Sequence, residues 1–284
     1  MPEGDTIFRA ARTLHRALAG KTVVGFGSAL PKLERVEADA GVTGRTIERV
    51  EANGKWLLMH FSGNLILLTH MLMSGSWHIY RPGEKWRKHP AHMRIHLRTA
   101  AMEAVAFNVQ LAEFHTQESL RRRRNYAQLG PSVLAEEFNE AEVLRRLRSE
   151  PDAEIGQALL AQSKLAGIGN VFKSEICFAC GVHPFRRVAE LSILELASLI
   201  RTARKFLLQN VTDSAPERIV TYAGMRRTTG RMDREENLWV YQRRGEACRR
   251  CGHAIESQKQ GLDARSTFWC PQCQPLAPIL QQSS

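Results

Sequence analysis

Two cysteine pairs, Cys248-x-x-Cys251 and Cys270-x-x-Cys273, stand 18 residues apart near the end of a 284-residue chain. That spacing is the pattern of a four-thiolate zinc site, in which each pair makes a tight knuckle aiming two sulfurs at one ion. Four thiolates close the coordination shell, so the expected Zn2+ is structural and has no open position for water. His253 is a competing ligand in sequence, but four cysteines suffice. The remaining pair, Cys177-x-x-Cys180, falls in a helical pattern with no partner pair nearby and reads as buried free thiols, a redox or second metal site being the lesser alternative. The start, Met1-Pro2-Glu3-Gly4-Asp5, has neither a basic stretch nor an apolar core of a secretory signal. The expected compartment is therefore reducing and cytoplasmic, with cysteines as ligands or thiols rather than bridges.

The charge points to a polyanionic partner. The formal net charge is +11, and it is unevenly spread. Residues 1–128 carry 19 basic and 11 acidic side chains, 129–225 carry 11 and 12, and 226–284 carry 10 and 6. Basic blocks at both ends suit a phosphate backbone, because Lys and Arg release condensed counterions on binding. The densest run, Arg121-Arg122-Arg123-Arg124, reads by itself as a solvated helix face or hinge. The longest apolar run, Leu65 to Met73, is broken by Thr69 and His70. A bilayer span needs about 20 apolar residues, so no membrane is expected.

Texture divides the chain into three. Residues 3–19 read as a helix with Ile7, Ala11, Leu14 and Leu18 on one face and Gly20 as a stop. Short β-like runs follow at 22–24, 46–50, 55–61, 65–72, 93–97 and 102–107, punctuated at Gly63-Asn64 and Pro82-Gly83. Such spacing predicts a sandwich or barrel. After Gly130-Pro131 the texture turns helical, over 154–162, 170–180 and 191–209, with Asn139 and Glu142 as an N-cap and capping-box acid for a helix through Leu147. A basic loop is expected after Gly224 and a frayed tail after Pro275. The expected domains are 1–128, 129–225 and 226–284, the finger occupying about 245–274.

Pro2 is small enough for Met1 to be removed, leaving a secondary amine. An α-amino group has a pKa of ~7.7–8.0 against ~10.4 for lysine, so a sizeable fraction is unprotonated at neutral pH. Its attack on a carbonyl-like carbon gives an iminium ion, an electron sink. Glu3 is held beside that amine by the chain and is placed to move protons.

Five segments, in order and register, resemble the formamidopyrimidine-DNA glycosylase/endonuclease VIII family: Met1-Pro2-Glu3-Gly4; Asn53-Gly54-Lys55-Trp56-Leu57-Leu58; His70-Met71-Leu72-Met73-Ser74-Gly75-Ser76-Trp77; Leu165-Ala166-Gly167-Ile168-Gly169-Asn170; and Arg265-Ser266-Thr267-Phe268-Trp269-Cys270-Pro271-Gln272-Cys273-Gln274. The segments Leu129 to Leu134 and Tyr241 to Cys248 look closer to the endonuclease VIII branch. The resemblance implies an α+β multidomain fold: an N-terminal β-sandwich with a leading helix, a helix–two-turn–helix domain and a zinc-finger hairpin, with duplex DNA in the cleft between domains. It implies Pro2 as the nucleophile on C1′ of a damaged nucleotide, Glu3 assisting proton transfer and ring opening, and Lys55 contacting phosphate and lesion. Asn170 and Arg265 would hold phosphates, and Leu72 and Met73 would fill the void left by the flipped base. Gly167 and Gly169 would bring backbone N–H groups to a phosphate at a helix start. The implied protein is a monomeric bifunctional glycosylase and AP lyase with one structural zinc and no organic cofactor, acting on oxidised bases, pyrimidines preferred, and finishing by β,δ-elimination. Oxidised-purine preference, and a catalytically silent DNA-binding module, are the competing expectations.

Overall fold

The structure, a computed structural model, describes residues 2–212, 226, 228–229 and 237–276. They divide into two units, 2–128 and 129–276. The loop expected after Gly224 and the tail after Pro275 lie largely outside the described residues.

In the first unit the apolar stripe at residues 7, 11, 14 and 18 forms helix α1 (Gly4–Leu18), and all four residues are buried. Eight strands follow: β1 (Val23–Ser28), β2 (Ile47–Asn53), β3 (Trp56–Phe61), β4 (Leu65–His70), β5 (Ser76–Tyr80), β6 (Met93–Thr99), β7 (Glu103–Phe107) and β8 (Leu111–His115). They make two four-stranded antiparallel sheets, ordered β1-β6-β7-β5 and β2-β3-β4-β8. Between the sheets and α1 lies one core, with Leu14, Ile47, Met59, Leu67, Trp77, Ile95 and Ala106 shielded from solvent. Helix α2 (Pro31–Ala40) crosses outside, and α3 (Gln117–Arg122) and α4 (Arg124–Ala127) follow β8.

Some elements depart from the sequence expectation. The strand expected to reach Leu72 ends at His70. Strand β5 carries no alternation to read, because all five of its residues are buried. Helix α2 buries only Leu33, so it has no apolar stripe, and Pro31 in its first turn is what marks its start.

The second unit is helical, then β. Helices α5 (Glu140–Arg148), α6 (Ile155–Leu160), α7 (Asn170–Ala179) and α8 (Ile193–Thr212) enclose a core of Val143, Leu147, Leu159, Phe172, Ile176, Leu199 and Ala203. Asn139 caps α5 as expected, its Oδ1 accepting the Glu142 N–H at 2.9 Å. The Glu142 carboxylate does not complete a box in the way sequence predicted; it pairs with Arg145 and Arg146 instead. Strands β9 (Glu256–Gln260) and β10 (Arg265–Trp269) form the terminal hairpin. Among the described residues no helix is long and apolar enough to cross a membrane.

Candidate active site and metal centre

Register fixes where the N-terminus of α1 points. The Gly20 N–H donates to the Ile47 carbonyl at 2.8 Å, and the Val50 N–H donates to His15 Nδ1 at 3.1 Å. Helix α1 therefore runs antiparallel to β2. From His15 back to Glu3 is about 18 Å of helix. From Val50 on to Lys55 is about 16 Å of strand. The Pro2–Glu3 end of α1 thus reaches the end of the sheet where β2 turns into β3. Pro2 is buried, and Glu3 has no exposed surface. The Glu3 carbonyl accepts the Thr6 and Ile7 N–H groups, while its carboxylate makes no capping bond to the helix. Asp5 is also fully buried; it accepts from the Thr6 hydroxyl at 3.3 Å and faces Arg9 at 3.7 Å.

Lys55 lies in the two-residue turn between the paired residues Asn53 and Trp56. Gly54 takes φ +58 there, a left-handed value that costs glycine no Cβ clash. Trp56 pairs in turn with His70, the last residue of β4, so the Lys55 turn and the loop 71–75 share one end of the sheet. In that loop Met71 is buried in the core, whereas Leu72 and Met73 are 41% and 64% exposed. The exposure separates the two expected wedge residues from the core that their apolar character alone would suit. Sequence also missed a brace at this end of the sheet. Arg123, one of the four consecutive arginines, turns inward: its guanidinium lies 4.4 Å over the Trp56 ring and is gripped by both oxygens of Glu113. Arg123 beside it is the main reason the Glu113 carboxyl falls to about 2. Its neighbours Arg121, Arg122 and Arg124 are exposed, as a solvated face requires.

In the second unit, Gly169 is the N-cap residue of α7 and Asn170 its first residue. The Gly167 N–H is not presented to a ligand as expected: it donates to Gln162 Oε1 at 3.0 Å, which shapes the turn between α6 and α7. Three successive bonds weld α7 to the hairpin. Asn170 Nδ2 donates to the Ser266 carbonyl at 2.7 Å, Lys173 Nζ donates to Thr267 Oγ1, and the Phe268 N–H donates to Ser174 Oγ at 3.3 Å. Asn170 and Arg265 are thereby brought side by side, Arg265 being the residue before Ser266. Asn170 is 7% exposed, and its Oδ1 has no protein partner among the described residues. Arg265 stands half-exposed at the head of β10, 3.7 Å from Asp263.

The four expected zinc ligands converge. Their sulfurs all lie within 4.8 Å of one another, with Cys248 to Cys273 at 3.9 Å and Cys251 to Cys270 at 3.4 Å. A tetrahedron with Zn–S bonds of about 2.3 Å has edges of about 3.8 Å, so the cage fits Zn2+. The exposed His253 is not part of it. A backbone N–H contact at His253 is the main influence lowering Cys251 to about 6, whereas burial raises Cys270 and Cys273, so the case for the metal rests on the convergence of the four sulfurs. Cys177 is fully buried and pushed up to about 12 by that burial, as an inert thiol should be. Glu175, a second residue that sequence did not single out, ties the approach to the cage. It is fully buried and accepts from the Thr228 hydroxyl and from the N–H groups of Trp239, Val240 and Tyr241.

This arrangement has known counterparts. Residues 1–111 match the formamidopyrimidine-DNA glycosylase N-terminal domain, 129–218 match the H2TH domain of the same family, and 245–276 match a zinc finger found in FPG and IleRS. The chain belongs to the formamidopyrimidine-DNA glycosylase/endonuclease VIII family. Among its relatives, a probable endonuclease 8 2 of Streptomyces coelicolor is 39% identical over 277 residues, covering 96% of this chain and 94% of that one. The DNA-(apurinic or apyrimidinic site) lyase Nei2 of Mycolicibacterium smegmatis is 32% identical, covering 96% and 99%. The fold matches that of Lactococcus lactis Fpg solved with DNA containing an abasic site, with a TM-score of 0.79 at 22% identity over 96% of this chain and 99% of that one.

Proposed function

We propose that this protein is a bifunctional DNA glycosylase and AP lyase of base excision repair, acting on oxidised bases in double-stranded DNA with pyrimidine lesions preferred. The observation that carries the reading is the convergence, at one end of the first unit, of the Pro2–Glu3 terminus, the Lys55 turn and the exposed Leu72–Met73 loop. The names of the relatives, endonuclease 8 and DNA-(apurinic or apyrimidinic site) lyase, support it.

The chemistry follows from the groups present. With Met1 removed, the Pro2 nitrogen attacks C1′ of an extruded nucleotide, and the base leaves with the glycosidic electron pair and takes up a proton. Glu3 delivers a proton to the ring oxygen, the sugar opens, and an iminium links Pro2 to C1′. Loss of the C2′ proton expels the 3′ phosphate; loss of the C4′ proton then expels the 5′ phosphate. Water releases the sugar fragment and restores the amine. Lys55 holds phosphate and lesion at the reacting end. Gly169, Asn170 and Arg265 grip the backbone beside the lesion, and Leu72 and Met73 occupy the emptied stack.

Residues 1–128 supply catalysis, 129–225 the helix–two-turn–helix grip, and 226–284 a linker and finger. Cys248, Cys251, Cys270 and Cys273 would hold one Zn2+, whose contribution is a structural cross-link. The protein works as a monomer in a bacterial cytoplasm, without an organic cofactor.

Single-turnover cleavage of a 5,6-dihydrouracil duplex against an 8-oxoguanine duplex tests the preference. Faster pyrimidine release is expected; faster purine release would assign the oxidised-purine role instead. No cleavage of either duplex, nor of one carrying an abasic site, would leave a binding module without catalysis.

A further inference from the structure

Leu72 is held in a backbone conformation that a leucine rarely adopts. Its φ is +48, inside the left-handed region where Cβ crowds the following carbonyl. The loop around it is closed by the Gly75 N–H donating to the Met71 carbonyl at 2.8 Å. A Cβ on Gly75 would lie 2.5 Å from that same oxygen, so the closure depends on glycine. Inside the closed loop the Leu72 N–H donates to His70 Nδ1 at 3.0 Å.

We infer that His70 is a positioning residue for damage recognition: its Nδ1 accepts the Leu72 N–H and fixes the left-handed turn that directs Leu72 and Met73 outward. The inference rests on the wedge reading of those two side chains. Three features make the imidazole a firm anchor. Its ring meets the edge of Trp56 at 4.8 Å and 76°. Trp56 is itself covered by Arg123, which Glu113 grips. Burial, with Lys55 and Arg123 nearby, holds the His70 imidazole down to about 4, so at neutral pH Nδ1 keeps a lone pair for the Leu72 N–H and the proton sits on Nε2. The anchor also stands opposite the residue that follows Lys55, which ties the wedge loop to the turn that carries the proposed lesion contact.

A double-mutant cycle isolates this role from a general structural one. Glycine enters the left-handed region at no steric cost. His70→Ala should therefore slow wedge insertion about tenfold when Leu72 is present. The same change should cost less than twofold when it is combined with Leu72→Gly. Insertion is read by stopped-flow fluorescence of 2-aminopurine placed opposite a dihydrouracil. His70→Asn, whose carbonyl oxygen can accept the same N–H, should restore the rate to within about threefold. Equal factors for His70→Ala in both backgrounds would overturn the inference, because a phosphate contact or a folding defect would act regardless of residue 72. Amide hydrogen exchange at Leu72 in the DNA-free protein gives a second, independent reading. His70→Ala should accelerate it at least tenfold, and unchanged exchange would remove the anchor. If Leu72→Gly and Met73→Ala leave insertion untouched while His70→Ala still frees the Leu72 amide, the wedge reading falls and the anchor stands.

Discussion

Glu175→Gln probes how the hairpin approach is held. The carboxylate is buried on α7, and its Oε1 takes the Val240 and Tyr241 N–H groups at 2.9 and 2.8 Å. Its Oε2 takes the Trp239 N–H at 2.8 Å and the Thr228 hydroxyl. A glutamine keeps one oxygen for Val240 and Tyr241. Its amide nitrogen can donate to the Thr228 oxygen, whose proton can turn to the Asn237 carbonyl 3.4 Å away. Only the Trp239 N–H is then orphaned, at about 1–3 kcal/mol. Burial already pushes the Glu175 carboxyl up, so removing the charge offsets part of that, leaving about 1–2 kcal/mol. For a unit of this size the melting temperature should fall about 2–8 °C. Glu175→Ala strips all four donors of their acceptor and should cost about 4 kcal/mol or more, a large share of a domain's stability. Calorimetry of the zinc-loaded protein, with a chromophoric chelator following metal release, measures both. A Glu175→Gln protein melting within about 1 °C of the parent, an alanine variant no worse than the glutamine one, or zinc release unchanged in both would show that Glu175 does not hold the 239–241 segment.

Arg265→Ala should weaken DNA binding evenly across sequences and lower the salt slope by about one; an unchanged slope counts against a phosphate contact. Chelation of zinc should unfold the β9–β10 hairpin and abolish DNA binding, since a four-thiolate cage carries the folding free energy of so small a module; full binding by metal-free protein would contradict this. Glu113 is depressed to about 2, chiefly by Arg123, so the stability it lends is present above its unfolded pKa and is lost as pH falls from about 4.5 towards 2. The group is partly exposed, so the contribution is about 1 kcal/mol, and unfolding of Glu113→Gln should show a shallower acid limb than the parent; superimposable limbs would exclude the pair as a stabiliser.

The parts legible in sequence were those whose pattern is local. The doubled cysteine spacing needs only two knuckles and a hairpin, and the sulfurs meet as it implies. The α1 stripe and the Asn139 cap are set within a few residues of chain. What escaped was decided across the fold. Four consecutive arginines look alike until Glu113 and Trp56 select Arg123. Gly167 looks like a phosphate cradle until Gln162 takes its N–H. Nothing local marks Lys173 and Glu175 as buried, because sequence does not show that β10 and the 239–241 segment cover them. Leu72 carries no sign of its backbone angle, which follows from the closure of the loop and from His70.

The proposed catalysis requires a free imino nitrogen at Pro2. Borohydride trapping on an abasic duplex, followed by peptide mass spectrometry, tests it most directly. The expected product is an N-terminal peptide that begins at Pro2 and carries the reduced sugar on its nitrogen. A trapped sugar mapped to a lysine, or a fully active protein retaining Met1, would contradict it.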